Sequence, residues 1–104
     1  MSLDIGLRAM VESDVVDQNI THNLTPMWRE AGVYEALYKS EGKTAKEVIP
    51  ILEKGLKVMM DNPERFKKLD SPNGWGLYKN AVPWLTRLII NFKEYPDGVI
   101  WISR

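Results

Sequence analysis

The chain has 104 residues, a length typical of one domain, and its 44% apolar and 27% charged residues give the balance of a globular protein. It contains no cysteine, which excludes disulfides, thiol catalysis and cysteine-ligated zinc. Its fourteen basic residues equal its fourteen acidic ones, and this zero net charge disfavours nucleic acid as a partner. We expect a single domain over residues 1–104, with no membrane partner and a cytoplasmic location, because no apolar run reaches the length of a bilayer span and the N-terminus lacks the features of a signal peptide.

Alternating residues predict a strand near the N-terminus. Apolar and polar or small residues alternate over residues 3–8, which is the pattern of a half-buried strand. Val11–Val16 is a candidate for a second short strand, although Glu12-Ser13-Asp14 within it favours a turn.

Helical periodicity dominates the middle of the chain. Four helices are predicted, over residues 26–38, 45–60, 63–69 and 78–95. Thr25 is the predicted N-cap of the first helix, and Thr44 with Glu47 forms a capping box before the second. Pro50 and Pro83 lie inside predicted helices, where we expect bends rather than breaks.

The C-terminus predicts a closing strand and with it the fold class. Pro96-Asp97-Gly98 is a turn signal, and the β-branched and aromatic residues 99–103 follow it. A sheet of two strands alone is marginal in water. We therefore expect an α+β fold, in which the N- and C-terminal strands are neighbours in a small two- or three-stranded antiparallel sheet packed against three to four helices.

The segment Asn19-Ile20-Thr21-His22-Asn23 is the densest group of hydrogen-bonding side chains in the chain, and it precedes a predicted helix. One interpretation is a ligand site in which Asn19, Thr21, His22 and Asn23 act beside a helix N-terminus, where anionic groups are stabilised. The other is that these side chains cap the helix and fix the path of the chain.

A second candidate segment is Asn73-Gly74-Trp75-Gly76, which precedes the last helix. Asn73 and Trp75 are candidate ligand contacts, because the glycines let the backbone approach a ligand and an indole stacks on a base or ring. The alternative is an entry loop in which Trp75 packs onto the core. The sequence leaves open whether this loop and residues 19–23 line one pocket.

The sequence predicts no catalytic residue, no metal ligand set and no cofactor. His22 is the only histidine, and no nucleophile, partner carboxylate or spaced acidic cluster accompanies it. A lysine-rich surface is a candidate contact for an acidic partner or nucleic acid, and it is formed by Lys39, Lys43, Lys46, Lys54, Lys57, Arg65, Lys67 and Lys68. Acidic residues interleave these positions, which is more typical of solvated helix faces. Trp28, Trp84 and Trp101 either pack in the core or form an aromatic surface for a partner protein or a second copy of the chain.

Several segments resemble a family of small bacteriophage and prophage proteins. They are Asn19–Asn23, Ile49–Lys54, Asn73–Gly76 and Tyr95–Val99, and the resemblance covers most of the chain after residue 18. Family members carry Asn-Ile-Thr-His-Asn or a tyrosine in place of the histidine, which implies that His22 is not an obligatory catalytic residue. The resemblance implies a phage-derived protein that acts in the host cytoplasm, where a host protein is a candidate partner.

Together these observations predict a non-enzymatic phage-type binding protein. We expect it to engage a small anionic or nucleotide-like ligand at a polar pocket near helix N-termini, formed by Asn19, Thr21, His22, Asn23, Asn73 and Trp75. The alternative is a protein-interaction or structural module that binds a host protein or forms a homodimer through an aromatic surface. A small His-dependent hydrolase is the least favoured hypothesis.

Overall fold

The N-terminal strand lies in the middle of the sheet. The computed structural model, which describes residues 2–10 and 13–104, has three strands, β1 (Ser2–Met10), β2 (Ser13–Thr21) and β3 (Val99–Ser103). They lie in the order β2-β1-β3, and both pairs are antiparallel. The predicted α+β class and the pairing of the terminal strands are confirmed, and β2 supplies the third strand.

The strand β2 differs from its prediction. Residues 11 and 12 of the predicted segment lie outside the described residues, and the turn predicted at 12–14 is wrong for Ser13 and Asp14, which pair with Met10 and Arg8. The strand also continues through Asn19-Ile20-Thr21, which the sequence analysis left outside any strand. Pairing with the buried strand β1 outweighs the weak strand propensity of these polar residues.

Helices occupy most of the chain between β2 and β3. They are a 3-10 turn (His22–Leu24), α1 (Thr25–Ala31), α2 (Tyr34–Tyr38), α3 (Ala45–Asp61), α4 (Pro63–Lys67) and α5 (Tyr78–Glu94). The first predicted helix is therefore two helices. It breaks at Gly32, which adopts φ 80° and donates its N–H to the Arg29 carbonyl at 3.1 Å. A glycine in this left-handed conformation is a common helix terminator.

The helix starts match the predictions only in part. Thr25 is the first residue of α1 rather than its N-cap, and its hydroxyl donates to the His22 carbonyl at 2.6 Å. Before α3, the Glu47 carboxylate accepts from the Thr44 amide at 2.7 Å, as the predicted capping box requires. Pro50 and Pro83 lie inside continuous helices, so neither proline breaks its helix.

The core lies between one face of the sheet and the helices. Its centre contains Leu3, Ile5 and Leu7 of β1 and the rings of Trp28 and Trp84, whose centroids are 5.7 Å apart. Trp28 and Trp84 are buried, so the alternative in which they pack in the core is confirmed for these two residues. Trp101, on β3, is half-buried. No helix in the described part of the chain is long and apolar enough to cross a membrane.

Candidate functional site

A cleft of about 770 Å³ opens where the end of β2 meets the loop before α5. It contains all six side chains that the sequence analysis selected. The lining residues are Ser2, Asn19, Ile20, Thr21, His22, Asn23, Asn73 and Trp75. Two of these lining residues, Ser2 and Ile20, were not predicted from the sequence. Ser2 lies opposite Thr21 in the β1–β2 register, so only knowledge of that register would have identified it.

The two walls of the cleft meet through a backbone contact between Gly76 and Asn23. Gly76 adopts φ 115°, and a Cβ placed on it would lie 2.7 Å from the Asn23 Cβ and 2.9 Å from the Asn23 carbonyl carbon. Only glycine permits both this backbone conformation and this approach. The open question of the sequence is thereby answered, since residues 19–23 and 73–76 lie against each other and line one cleft.

On the strand wall, the side chain of Asn19 is oriented by its neighbours on β1. Its Nδ2 donates to Ser2 Oγ at 2.9 Å and to Asp4 Oδ1 at 2.6 Å. These bonds use both amide hydrogens and leave Oδ1 as an acceptor. Thr21 Oγ1 accepts from the Asn23 amide at 3.2 Å, which caps the 3-10 turn and leaves the Thr21 hydroxyl hydrogen as a donor.

His22 is held by a tyrosine from α2. Its Nδ1 shares a hydrogen bond of 2.9 Å with the Tyr38 hydroxyl, and Tyr38 stacks on Tyr34 with 4.8 Å between ring centroids. Burial raises the pKa of Tyr38, so the neutral phenol is the form that faces the imidazole. Among the described residues no carboxylate bonds to His22, and one of its two nitrogens is committed to this structural contact.

On the loop wall, Asn73 organises the backbone that carries Trp75. Asn73 Oδ1 accepts from Ser71 Oγ at 2.7 Å and from the Trp75 amide at 2.9 Å. The Asn73 amide nitrogen is left as a donor. The side chain of Trp75 is 70% exposed, so the alternative in which it packs onto the core is wrong. The indole of Trp75 is therefore accessible to a ligand in the cleft.

The cleft carries little positive charge. Its lining includes no lysine or arginine, and the Asp4 carboxylate lies just behind Asn19. At the start of α5 the Tyr78 amide is not free, because it donates to Asp70 Oδ1 at 2.7 Å. A carboxylate at this helix start already interacts with the helix dipole. The site is therefore polar but close to neutral.

The lysine-rich surface has the ion pairing of an ordinary solvated surface. Four members of the lysine-rich surface form ion pairs, in agreement with solvated helix faces: Lys46 with Asp97, Lys57 with Asp61, Arg65 with Glu30, and Lys67 with Glu64. No group of three or more metal-ligating side chains occurs within residues 2–10 and 13–104.

Comparisons with protein-family models, with curated proteins and with solved structures gave no match.

Proposed function

We propose that this protein is a non-enzymatic binding module that holds a small nucleotide-like ligand in the cleft, with the base stacked on Trp75. The observation that carries the proposal is the convergence of six polar or aromatic side chains from two distant segments on one cleft. A context in the cytoplasm of a phage-infected host is part of the proposal and rests on the resemblance to small phage proteins.

Trp75 supports the choice of a planar ring as the ligand. Stacking of a base on an aromatic side chain contributes about 1–3 kcal/mol. The backbone amide of Trp75 donates to Asn73 Oδ1, so the loop does not have to become ordered around the ligand. A preorganised contact loses less conformational entropy on binding.

The asparagines support a ring whose edge carries both donors and acceptors. Asn19 retains an acceptor on the strand wall and Asn73 retains donors on the loop wall. Asn23 lies between them and is exposed. Proteins recognise flipped or unpaired bases in this way, by hydrogen bonds to the base edge combined with stacking.

The charges favour the base over the phosphate as the recognised group. A phosphate would enter a cleft without lysine or arginine, near the Asp4 carboxylate, and beside a helix start already occupied by Asp70. We therefore expect nucleosides to bind at least as tightly as the corresponding nucleotides. Of the two ligand classes predicted from the sequence, the geometry supports the nucleotide-like ring more strongly than a simple anion.

The environment of His22 favours binding over hydrolysis. A histidine that acts as a general base is commonly oriented by a carboxylate and placed next to a nucleophile. His22 is instead oriented by the neutral Tyr38 hydroxyl. We assign His22 the role of a hydrogen-bonding wall of the cleft, and we expect no turnover of ester or phosphoester substrates.

The test is a thermal-shift and calorimetric series with the four common nucleosides and their 5′-monophosphates. At least one nucleoside should raise the melting temperature of the native chain. Trp75→Ala should weaken its binding about fivefold or more, because about 1 kcal/mol or more of stacking is lost. Tyr95→Ala, which removes a partly exposed aromatic ring outside the cleft, is the matched control and should bind normally. If no nucleoside or nucleotide binds, or if Trp75→Ala binds as well as the native chain, the proposal is wrong.

The alternative function, a protein-interaction module, has support from other parts of the surface. Met60 and Ile90 are 58% and 54% exposed and share a shallow groove between α3 and α5. The groove is bordered by the ion pairs Lys93–Glu53 at 2.6 Å and Lys57–Asp61 at 2.9 Å.

A further inference from the structure

The two outer edges of the sheet differ in whether other segments hydrogen-bond to them. Along β3, the outer edge is covered by the segment between α2 and α3. Gly42 donates its amide to the Ile100 carbonyl at 2.9 Å, and the Ile100 amide donates to the Lys43 carbonyl at 2.8 Å. The Ile102 amide donates to Glu41 Oε1 at 3.0 Å. This edge has therefore lost much of its capacity to pair with another strand.

The outer edge of β2 has no such cover in the described part of the chain. Among residues 2–10 and 13–104, no segment other than β1 makes a backbone hydrogen bond to it. Its tertiary hydrogen bond to the helical layer is made by side chains, from Gln18 Nε2 to Asn91 Oδ1 at 2.7 Å. An edge strand with free N–H and C=O groups is a template for the addition of another strand.

The charge of this edge selects the kind of strand that fits it. Asp17, in the middle of β2, is exposed. Asp4 lies opposite Asn19, two residues along from Asp17, so Asp4 and Asp17 share the face of the sheet that the helices do not cover.

A second copy of β2 fits this edge poorly. Pairing two copies edge to edge would bring the Asp17 carboxylates of both chains into one short stretch of sheet. Like charges on neighbouring strands are destabilising. A strand that carries lysine or arginine at alternate positions would instead place its cations beside Asp17 and its other side chains on the opposite face.

We propose that the outer edge of β2, over Val15–Gln18, docks an extended cationic segment of another protein as a fourth strand. These four residues lie outside the lining of the ligand cleft, so the proposal goes beyond the proposed nucleotide-like ligand. Backbone pairing supplies the docking geometry, and the exposed Asp17 selects a basic over an acidic segment.

The experiment measures binding of labelled peptides by fluorescence polarisation. The probe alternates lysine with valine, and the matched control alternates glutamate with valine. The lysine peptide should bind at least about fivefold more tightly, because each cross-strand charge pair changes the free energy by up to about 1 kcal/mol in either direction. Asp17→Lys should reverse the preference, and because Asp17 is exposed the variant should unfold at the same temperature as the native chain.

A second pair of probes separates strand pairing from simple charge attraction. Methylating the backbone nitrogens of every second residue blocks one edge of the lysine peptide and leaves its charge unchanged. Methylation in one of the two phases should abolish binding, whereas the other phase should bind normally, and the amides of Val15–Gln18 should exchange more slowly with solvent in the complex.

The proposal is overturned if the glutamate peptide binds equally well, if both methylated peptides bind like the parent, or if no peptide binds. A dimer that protects the same amides in light-scattering and exchange measurements would also overturn it, in favour of a second copy. The Asp17→Lys variant should bind nucleosides as the native chain does. Failure of the peptide experiment is therefore distinguishable from failure of the nucleoside experiment.

Discussion

Gly76 and Asn23 are in backbone contact, and this contact joins the two halves of the cleft. A Cβ on residue 76 would come within 2.7 Å of the Asn23 Cβ and 3.0 Å of the Asn23 carbonyl oxygen. Distances below 3.0 Å cannot be accommodated without a shift of one segment. The loop that carries Trp75 therefore has its position set by the absence of a side chain.

Gly76→Ala should lower the free energy of unfolding by about 2–4 kcal/mol, since it combines strain at a positive φ with a steric clash against the backbone. Gly74→Ala is the control. It has a similar strain, at φ 79°, but nothing lies within 4 Å of the added methyl group, so we expect a loss of only about 1 kcal/mol. Urea denaturation measures both values. Equal losses in the two variants would show that the contact with Asn23 has no energetic weight.

Gly55→Ala should destabilise the protein although alanine is the better helix former. In the middle of α3 the substitution gains about 1 kcal/mol of helix propensity. However, the new Cβ would lie 2.2 Å from Val33 Cγ1 and 3.0 Å from the Ala31 carbonyl oxygen. Overpacking costs about 1–3 kcal/mol, so we expect a net loss.

The double variant Gly55→Ala/Val33→Ala tests the cause of that loss. Because Val33→Ala removes the clashing methyl group, the double variant should be more stable than the sum of the two single variants predicts, by about 1 kcal/mol. Chemical denaturation of the four proteins gives this coupling energy. Strict additivity would mean that the Val33 methyl group is not the obstacle.

Tyr38→Phe should remove the partner of His22 Nδ1 and lower the free energy of unfolding by about 1 kcal/mol, the typical worth of a hydrogen bond. Tyr34→Phe is a suitable control, because Tyr34 contacts Tyr38 through its ring face. Nitrogen chemical shifts of the imidazole report the change directly. Shifts of His22 that are identical in Tyr38→Phe and the native chain would argue against the bond.

Glu47 should make the stability of α3 depend on pH. Its hydrogen bond from the Thr44 backbone, followed by that from the Thr44 hydroxyl, lowers the pKa of this carboxyl group. A group whose pKa is lower in the folded state contributes stability above its unfolded pKa of about 4.3, and that contribution is lost as the pH falls through the folded pKa. The stability difference between the native chain and Glu47→Gln should therefore shrink in acid. A carboxyl titration by NMR that places Glu47 at an ordinary pKa would contradict the mechanism.

The lining of the cleft was predicted more completely than the strand that forms one of its walls. Asn73 and Trp75 were identified because glycines flank an aromatic residue, a local pattern that the sequence shows directly. That Asn19 and Thr21 belong to β2 was missed, because their strand conformation comes from pairing with β1 rather than from their own propensity. The meeting of the two segments depends on a contact of Gly76 with Asn23, and no local pattern encodes a contact across that separation.

The errors in the helices have a similar origin. Gly32 lies inside an unbroken helical period, and only its backbone angle shows that it ends α1. The identity of Trp28 and Trp84 as tryptophans does not show whether their rings face solvent or each other. The burial of these two rings depends on the packing of α1 against α5. Periodicity shows which face of each helix is apolar, but it does not show which helices pack together.

The central place of β1 also sets the order in which the chain can fold. One side of β1 pairs with β2, which follows it almost immediately, so this hairpin can form as soon as a short segment has been synthesised. The other side of β1 pairs with β3, whose residues are separated from β1 in the sequence by the whole helical region. Closing so long a loop is slow, and an unpaired strand edge is prone to aggregation while it waits. A newly made chain therefore exposes both edges of its hairpin until residues 99–103 arrive, after which only the acidic edge of β2 remains free of strand partners in the described structure.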